Sequence, residues 1–209
     1  VSWSIQSSGV TNTLQDVTFL NPRKVIVVGD GLILRSKKDG SSWERVEIPV
    51  QIPLWGISFS NPQTGYAVGL NGTVLQSGDA GKSWRILANV TSYPLYDVWS
   101  DKNVVYVLSG HEVLQSTDGG KNWVKQLSTE SMNYLSISAL GFFNTTFGIT
   151  VGQNGTIFRT TNSGNVWENY LRGSQEDLNS IAFADSKVGL AVGNNGTILR
   201  TSDAGAHWI

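Results

Sequence analysis

The sequence predicts an all-β protein, a β-propeller of five four-stranded antiparallel blades. Three observations lead to this fold: a repeat of about forty residues, four short strand-like segments in each repeat, and no sustained helical periodicity. Tryptophans mark the repeat, spaced 41, 39, 44 and 41 residues apart at Trp43, Trp84, Trp123, Trp167 and Trp208. Four strands per forty residues is typical of propeller blades, small sheets that stack around a common axis.

Each strand of the repeat has its own pattern. The first strand is LQDVTF at Leu14, LWGISF at Leu54, LYDVWS at Leu95, ISALGF at Ile137 and LNSIAF at Leu178. The second is a run ending in glycine (VIVVG, YAVG, ITVG, LAVG), with VYVLSG in the third repeat. The third strand reads LILRS, TVLQS, EVLQS, TIFRT or TILRT, and the fourth begins at the tryptophan. These runs are rich in β-branched and aromatic residues, and Asn-Gly, Asn-Pro or Asp-Gly signals separate them.

We expect a single domain over residues 1–209, because all-β domains often reach this length. The repeat units are about 14–53, 54–94, 95–136, 137–177, and 178–209 plus 1–13. Residues Val1–Gly9 are typical of a fourth strand without a blade before it, whereas the last repeat has no residues left for one. The N-terminal strand is therefore expected to close the last blade. The alternative is an excised part of a six- or seven-bladed propeller.

Composition excludes several classes of function. The 15 Lys and Arg balance 16 Asp and Glu, so no basic field is available for nucleic acid. No apolar run approaches the roughly 18 residues of a membrane span, and the first residues do not resemble a signal peptide, which indicates a mature or trimmed chain. Uncharged polar residues outnumber charged ones, which favours an extracytoplasmic location: secreted, periplasmic, cell-surface or thylakoid lumen.

Five Asn-X-Ser/Thr sequons begin at Asn71, Asn89, Asn144, Asn154 and Asn195. Three of them are Asn-Gly-Thr turns, for which turn geometry is a sufficient reason, so glycosylation stays open.

One motif, S/T-x-D-x-G-x-x-W, joins the third strand to the fourth in each repeat. Its central positions are Asp39 (one step late, after Lys38), Asp79, Asp118, Asn162 and Asp203, followed by the five tryptophans named above. A short carboxylate or amide can accept backbone N–H groups within such a turn, and glycine permits a positive φ. Because a reactive group is rarely needed five times around a ring, we interpret these residues as structural.

This motif is the Asp-box, or bacterial neuraminidase repeat. The longer GNNGTILRTSDAGAHW (193–208) and GLNGTVLQSGDAGKSW (69–84) resemble the repeat of the photosystem II stability and assembly factor family. The resemblance covers nearly the whole chain. It implies a propeller, seven-bladed in the family, on the lumenal or extracytoplasmic side, where it helps a membrane complex to assemble. Five repeats are present here, and with seven arginines in the chain the family's basic patch is not evident. Arg35, Arg159 and Arg200 do occupy one repeat position, which Gln76 and Gln115 hold in the other two repeats. Those side chains either pair within the blades or form a partial arginine ring.

The links between repeats vary, and variation on a repeated scaffold marks the surface for binding. The candidate binding face comprises Trp55, Tyr93, Tyr96, Asp97, Met132 and Tyr134. Aromatic residues and methionine suit a protein interface, and aromatics with Asp also suit a sugar. The alternative is that Trp55 and Tyr96 only pack neighbouring blades or line the channel.

We expect no catalytic residues, no metal site and no cofactor. The two histidines, His111 and His207, have no second ligand at metal spacing. A glycosidase would need two carboxylates about 5 to 9.5 Å apart, for which Asp16 with Asp97, or Asp97 with Glu176, are the candidates. The predicted function is therefore a non-catalytic interaction scaffold with a protein partner, possibly a membrane complex. The alternative is a carbohydrate-active propeller, either a glycoside hydrolase or a lectin-like glycan binder.

Overall fold

The structure, a computed structural model, describes residues 4–37, 40–132, 135–170 and 175–209. Its regular structure consists of antiparallel strands and three single 3₁₀ turns at Leu70–Gly72, Gln153–Gly155 and Asn194–Gly196. Contacts between Cα atoms divide the chain into two compact units, Val1–Lys102 and Asn103–Ile209. The predicted all-β fold with five successive blade-type sheets is confirmed.

The first unit contains two complete sheets and one further strand. The first sheet is β1 Leu14–Asn21, β2 Lys24–Gly29, β3 Leu32–Ser36 and β4 Trp43–Val46. The second is β5 Leu54–Phe59, β6 Gly65–Gly69, β7 Thr73–Ser77 and β8 Arg85–Asn89. Strand β9, Leu95–Asp101, follows. In both sheets the spatial order of the strands equals their order along the chain, as in a propeller blade.

The second unit continues the same pattern. Its strands are β10 Val104–Ser109, β11 Glu112–Ser116, β12 Val124–Ser128, β13 Ile137–Phe142, β14 Gly148–Gly152, β15 Ile157–Thr160, β16 Glu168–Asn169, β17 Leu178–Phe183, β18 Gly189–Gly193 and β19 Ile198–Thr201. The third sheet has the order β9-β10-β11-β12, the fourth is β13-β14-β15-β16, and the fifth is β17-β18-β19. After Trp208, Ile209 exchanges two backbone hydrogen bonds with Arg200 at 2.8 and 3.0 Å, so the edge of the fifth sheet is extended by one residue.

The Asn-Gly turns explain why three sequons recur at one place in the repeat. Asn71, Asn154 and Asn195 have φ of 59°, 54° and 52°, and the glycine after each also has a positive φ. This is the conformation of the tight hairpin turns that prefer Asn-Gly, because asparagine and glycine tolerate the left-handed region. Local backbone geometry therefore accounts for these three positions.

The core of each unit lies where successive sheets face each other. In the first unit, Ile26, Val28 and Ile33 of the first repeat pack against Leu54, Ile57, Ala67, Leu75 and Trp84 of the second. In the second unit, Ile149, Val151 and Ile157 of the fourth repeat pack against Leu178, Ile181, Ala191, Leu199 and Trp208 of the fifth. The same repeat positions meet in both clusters, because each sheet is too small to bury its apolar faces without a neighbour.

The predicted closure of the last blade by the N-terminus is not confirmed. Residues 4–13 form no strand, and the side chain of Ile5 is 99% exposed. Val10 packs instead against Val25, Val27, Leu32 and Leu34 of the first repeat. Residues 1–3 lie outside the described part of the chain.

Candidate functional site

Asp118 shows what the centre of an Asp-box turn does. Its Oδ1 atom accepts hydrogen bonds from the backbone N–H groups of Lys121 and Asn122 at 3.0 and 2.9 Å, and from Ser116 Oγ at 2.8 Å. Its Oδ2 atom accepts one from Asn122 Nδ2 at 2.7 Å. Led by the N–H of Asn122, these donors lower the pKa of Asp118 to about 2. The carboxylate is fully used within its own turn.

The hydrogen bond from the N–H four residues on recurs in the other described turns. Asp79 accepts from Ser83 N at 2.9 Å, Asn162 from Val166 N at 2.9 Å, and Asp203 from His207 N at 2.9 Å. Burial acts to raise the pKa of Asp79, but bonds from Ser83 and Ser77 outweigh it and hold the pKa at about 2. In Asp203 the His207 side chain, 2.6 Å from Oδ2, is the largest cause of a pKa of about 2. Asp39 lies outside the described residues.

The Asp-box glycines of the second and fifth repeats approach the preceding repeat closely. A Cβ added to Gly81 would lie 2.7 Å from Ile26 Cδ1, and one added to Gly205 would lie 2.2 Å from Ile149 Cδ1. Gly81 and Gly205 have φ of 73° and 77°. Only glycine satisfies both the left-handed backbone and this close approach.

The repeat position shared by arginine and glutamine joins consecutive repeats. Arg35 Nε donates to Ala80 O at 3.2 Å, and Arg159 Nε donates to Ala204 O at 2.8 Å. In the third repeat, Gln115 Nε2 donates to the corresponding carbonyl, Ser163 O, at 3.1 Å. The accepting residues have a positive φ, so their carbonyls point toward the preceding repeat.

These arginines also have partners within their own sheets. Arg35 Nη1 lies 3.0 Å from Glu44 Oε1, and the guanidinium of Arg159 stacks over Phe147 and Tyr170 at 5.5 and 5.8 Å from the ring centroids. Arg35 and Arg159 therefore act as structural links rather than as parts of an anion site. Arg200 is exposed, and its guanidinium forms no hydrogen bond or ion pair with any residue that the structure describes.

Two residues of the candidate binding face, Trp55 and Tyr96, are the second residues of their first strands. The side chains at this position in all five repeats can be compared. These side chains are exposed or half-buried, because the first strand is a sheet edge. In the first unit they are Gln15, Trp55 and Tyr96, and in the second unit they are Ser138 and Asn179. The rings of Trp55 and Tyr96 lie 5.2 Å apart at 35°, with Tyr96 45% exposed. The structure thus brings two of the predicted residues into one aromatic pair.

The other predicted residues of the face have separate surroundings. Tyr93 is 37% exposed, and its backbone N–H donates to Thr91 Oγ1 at 3.3 Å. Asp97 is half-buried, and its Oδ1 accepts the N–H of Val98 at 2.8 Å. Met132, in the second unit, is 40% exposed. Tyr134 lies outside the described residues.

The carboxylates considered for glycosidase chemistry are engaged by hydrogen bonds. Asp16 Oδ2 accepts the N–H of Ile57 in the next repeat at 2.8 Å, and Oδ1 accepts the N–H of Val17 at 2.7 Å. Burial raises the pKa of Asp16, and the two N–H groups partly offset this. Glu176 Oε2 accepts from Asn195 Nδ2 at 2.8 Å. The Asp16 side chain therefore links the first strand of the first repeat to the first strand of the second. The sequence pattern of the strand did not indicate this role.

Sequence reasoning also missed an ion pair in the third repeat between a buried glutamate and an exposed lysine. Glu112 is 3% exposed and pairs with Lys125 on the neighbouring strand. It stands where the second and fourth repeats have Thr73 and Thr156. The sequence did carry a signal, because the third repeat has Gly-His-Glu where the second, fourth and fifth repeats have Asn-Gly-Thr.

Two further features bear on the class of protein. Among residues 4–37, 40–132, 135–170 and 175–209, no three His, Cys, Asp or Glu side chains lie together as metal ligands could. No helix in those ranges is long and apolar enough to span a membrane.

Comparison with known proteins points to one family. Residues 35–91 match the family described as photosynthesis system II assembly factor YCF48. Over 140 residues the chain is 27% identical to the photosystem II assembly lipoprotein Ycf48 of Synechococcus sp. (strain CC9902), covering 61% of this chain. The chain spans 40% of the length of that relative.

Solved structures agree on the fold. A structure of YCF48 bound to D1 peptide matches with a TM-score of 0.76 and 18% identity, covering 98% of this chain and 70% of the other. An ancestral GH74 enzyme matches with the same TM-score and 18% identity, covering 95% of this chain and 32% of the other. At these identities the likeness shows the β-propeller fold alone. The chain is thus an Asp-box-repeat β-propeller that resembles the photosystem II assembly factor family.

Proposed function

We propose that this protein is a non-catalytic, extracytoplasmic scaffold that binds a protein partner and serves the assembly of a membrane complex. The observation that carries the proposal is the partly exposed aromatic pair of Trp55 and Tyr96, which stand on the first strands of two adjacent repeats. Large aromatic side chains are the residues that most often anchor protein interfaces. Here they stand on strands rather than on loops, so little ordering entropy is lost on binding.

The partner of the related structure supports a peptide-like ligand. A relative of the same fold is described as bound to D1 peptide, and the curated relative is named an assembly lipoprotein. Both names fit a scaffold outside the cytoplasm that holds a segment of a membrane protein. Because the net charge is −1, we expect little long-range steering and only a weak dependence of affinity on salt.

Binding of a D1 peptide, measured by titration calorimetry, tests the proposal. We expect the wild type to bind and the double variant Trp55→Ala, Tyr96→Ala to lose at least about tenfold in affinity, roughly 1.4 kcal/mol. Phe143→Ala is the matched control, since Phe143 is an exposed aromatic residue (43%) in a turn between a first and a second strand. That turn lies at the opposite end of the sheet from the links.

The same three proteins should then be used for affinity capture from the native membrane fraction. The proposal requires that wild type and Phe143→Ala recover the same partner and that the double variant does not. Equal recovery of the partner by all three proteins would mean that binding does not involve Trp55 and Tyr96. If the wild type bound neither the peptide nor any membrane protein, the scaffold proposal would be rejected.

A glycosidase is the competing class, because an ancestral GH74 enzyme shares the fold. We expect no turnover of aryl glycosides or sialosides, since both oxygens of Asp16 are held by backbone N–H groups. Turnover that disappears in Asp97→Asn would overturn this expectation. Glycan binding without turnover would instead indicate a lectin.

A further inference from the structure

Charge is distributed unevenly between the two ends of the sheets in the first unit. The turn end carries the Asp-box turns and the turns between first and second strands, whereas the link end carries the links between repeats. Among residues 4–37 and 40–102, the exposed basic residues of the turn end are Arg23, Lys24, Lys37, Lys82, Arg85 and Lys102. Its acidic residues, Glu44, Asp79 and Asp101, are only partly exposed. The net charge of −1 for the chain therefore conceals a basic surface at this end.

Two carboxylates of the turn end are engaged within the protein. Glu44 lies between two cations, with its Oε1 atom 3.0 Å from Arg35 Nη1 and its Oε2 atom 3.5 Å from Lys37 Nζ. Asp79 accepts hydrogen bonds within its own turn, from the backbone N–H of Ser83 at 2.9 Å and from Ser83 Oγ at 2.7 Å. Because one carboxylate is shared by two cations and the other is directed into its turn, the surface of the turn end stays basic.

The lysines of the turn end form one surface across two repeats. The ammonium groups of Lys24, Lys82 and Lys102 make no ion pair or hydrogen bond with any residue that the structure describes. Lys24 begins β2 and Lys37 follows the paired strand β3, so the antiparallel register sets these two lysines side by side. Lys82 lines the same cavity, of about 520 Å³, as Glu44, the partner of Lys37. The basic surface therefore extends from the first repeat to the second.

This surface suits a fluid anionic layer better than a single anionic ligand. Lysine presents a point charge on a flexible stem and lacks the rigid fork with which arginine binds one carboxylate or phosphate. Arg85, the arginine of the second repeat, already donates from Nη2 to Gln76 Oε1 at 2.6 Å. Clusters of lysine and arginine bind membranes that contain anionic lipids, and each charge near the surface adds to the affinity. Because lipid headgroups diffuse laterally, they can meet scattered lysines without a preformed pocket.

We propose that the turn end of the first unit docks on a membrane surface that carries anionic lipid headgroups. The described residues at the link end of the same unit have the opposite charge balance, with Arg45 against Asp16, Asp30, Glu47 and Asp97. An anionic membrane therefore attracts one end of the unit and repels the other, which orients the unit on the membrane. The surface goes beyond the proposed partner site, because Trp55 and Tyr96 lie at the link end. Docking through the turn end leaves that aromatic pair accessible to a protein partner.

Co-sedimentation with lipid vesicles tests the proposal. The wild type should bind vesicles of phosphatidylcholine with phosphatidylglycerol but not vesicles of phosphatidylcholine alone, and its binding should weaken as salt is added. The double variant Lys24→Gln, Lys82→Gln should bind the anionic vesicles about 25-fold more weakly, since each charge contributes roughly fivefold. The matched control is Gln51→Glu, Ser92→Glu, which changes the net charge by the same amount at exposed positions of the link end. This control should bind the anionic vesicles like the wild type.

Circular dichroism checks that each variant is folded. A wild type that does not bind anionic vesicles, or a control that loses as much binding as the lysine variant, would overturn the proposal. Binding to polyglutamate without binding to the anionic vesicles would overturn it too, because the turn end would then belong to an acidic protein. The Trp55→Ala, Tyr96→Ala protein should bind vesicles like the wild type, and a loss there would contradict the separation of the two surfaces. Failure of the peptide titration and failure of vesicle binding are therefore distinguishable.

Discussion

The Asp-box turns and the links between repeats lie at opposite ends of each sheet, and they differ in what their side chains do. In the turns, the carboxylates of Asp79, Asp118 and Asp203 each accept the backbone N–H of the residue four positions on. Near the links, Trp55 and Tyr96 contact each other and remain partly exposed. Repetition of one hydrogen-bond pattern is typical of a structural role. The end of the sheets that carries the links differs from repeat to repeat, and it is available for recognition.

The largest effect should come from filling the close contact at an Asp-box glycine. Gly205→Ala should lower the free energy of unfolding by about 2–4 kcal/mol, because a Cβ there meets Ile149 and the φ is positive. Gly40→Ala is the control, since its φ is also positive but the space around it is open, and should cost about 1 kcal/mol. Urea denaturation measures both. Equal losses would show that the contact with Ile149 contributes nothing.

A second, smaller effect tests the link between repeats. Arg159→Ala should cost about 1–2 kcal/mol, because it removes the bond to Ala204 O and the stacking on Phe147 and Tyr170. Arg200 occupies the same repeat position without those partners. Arg200→Ala should therefore change the free energy of unfolding by less than about 0.5 kcal/mol at low protein concentration. If both variants lost the same free energy of unfolding, the loss would come from replacing an arginine at this position and not from the bond to Ala204 O or the stacking on the two rings.

These contrasts also show where sequence reasoning stops. The forty-residue period, the strand patterns and the Asn-Gly turns predicted the sheets, because each depends on local propensity and spacing. The period did not reveal that Arg159 reaches the next repeat or that Asp16 accepts the N–H of Ile57, since a repeat specifies its own strands and not its neighbour's contacts. The N-terminal strand is not confirmed, since residues 4–13 form no strand and Val10 packs on the first repeat.

A third prediction concerns a single turn. Asp79→Ala should cost about 1 kcal/mol, because two backbone N–H groups lose their acceptor. Asp79→Asn should cost less than half of that, since Asn162 holds the same position in the fourth repeat and keeps the bond to the N–H four residues on. Neither change should weaken binding of the partner. A variant with native stability and lost binding would reverse the interpretation of the Asp-box.

The smallest effect should appear in the dependence of stability on pH. Asp79, Asp118 and Asp203 have pKa values of about 2 in the folded protein, compared with about 3.9 in an unfolded chain. Their contribution is fully present above about pH 4 and is lost as pH falls through about 2, so the free energy of unfolding should decrease in that window. The pKa of Glu44 is lowered by its hydrogen bond with Arg35 and that of Asp185 by the N–H of Val188, and both act in the same direction. Asp16 works in the opposite direction because burial raises its pKa. Asp79→Asn should make the dependence of stability on pH between pH 4 and pH 2 less steep, as measured by urea denaturation at several pH values. An unaltered slope in Asp79→Asn would show that the acid sensitivity arises outside the Asp-box turns.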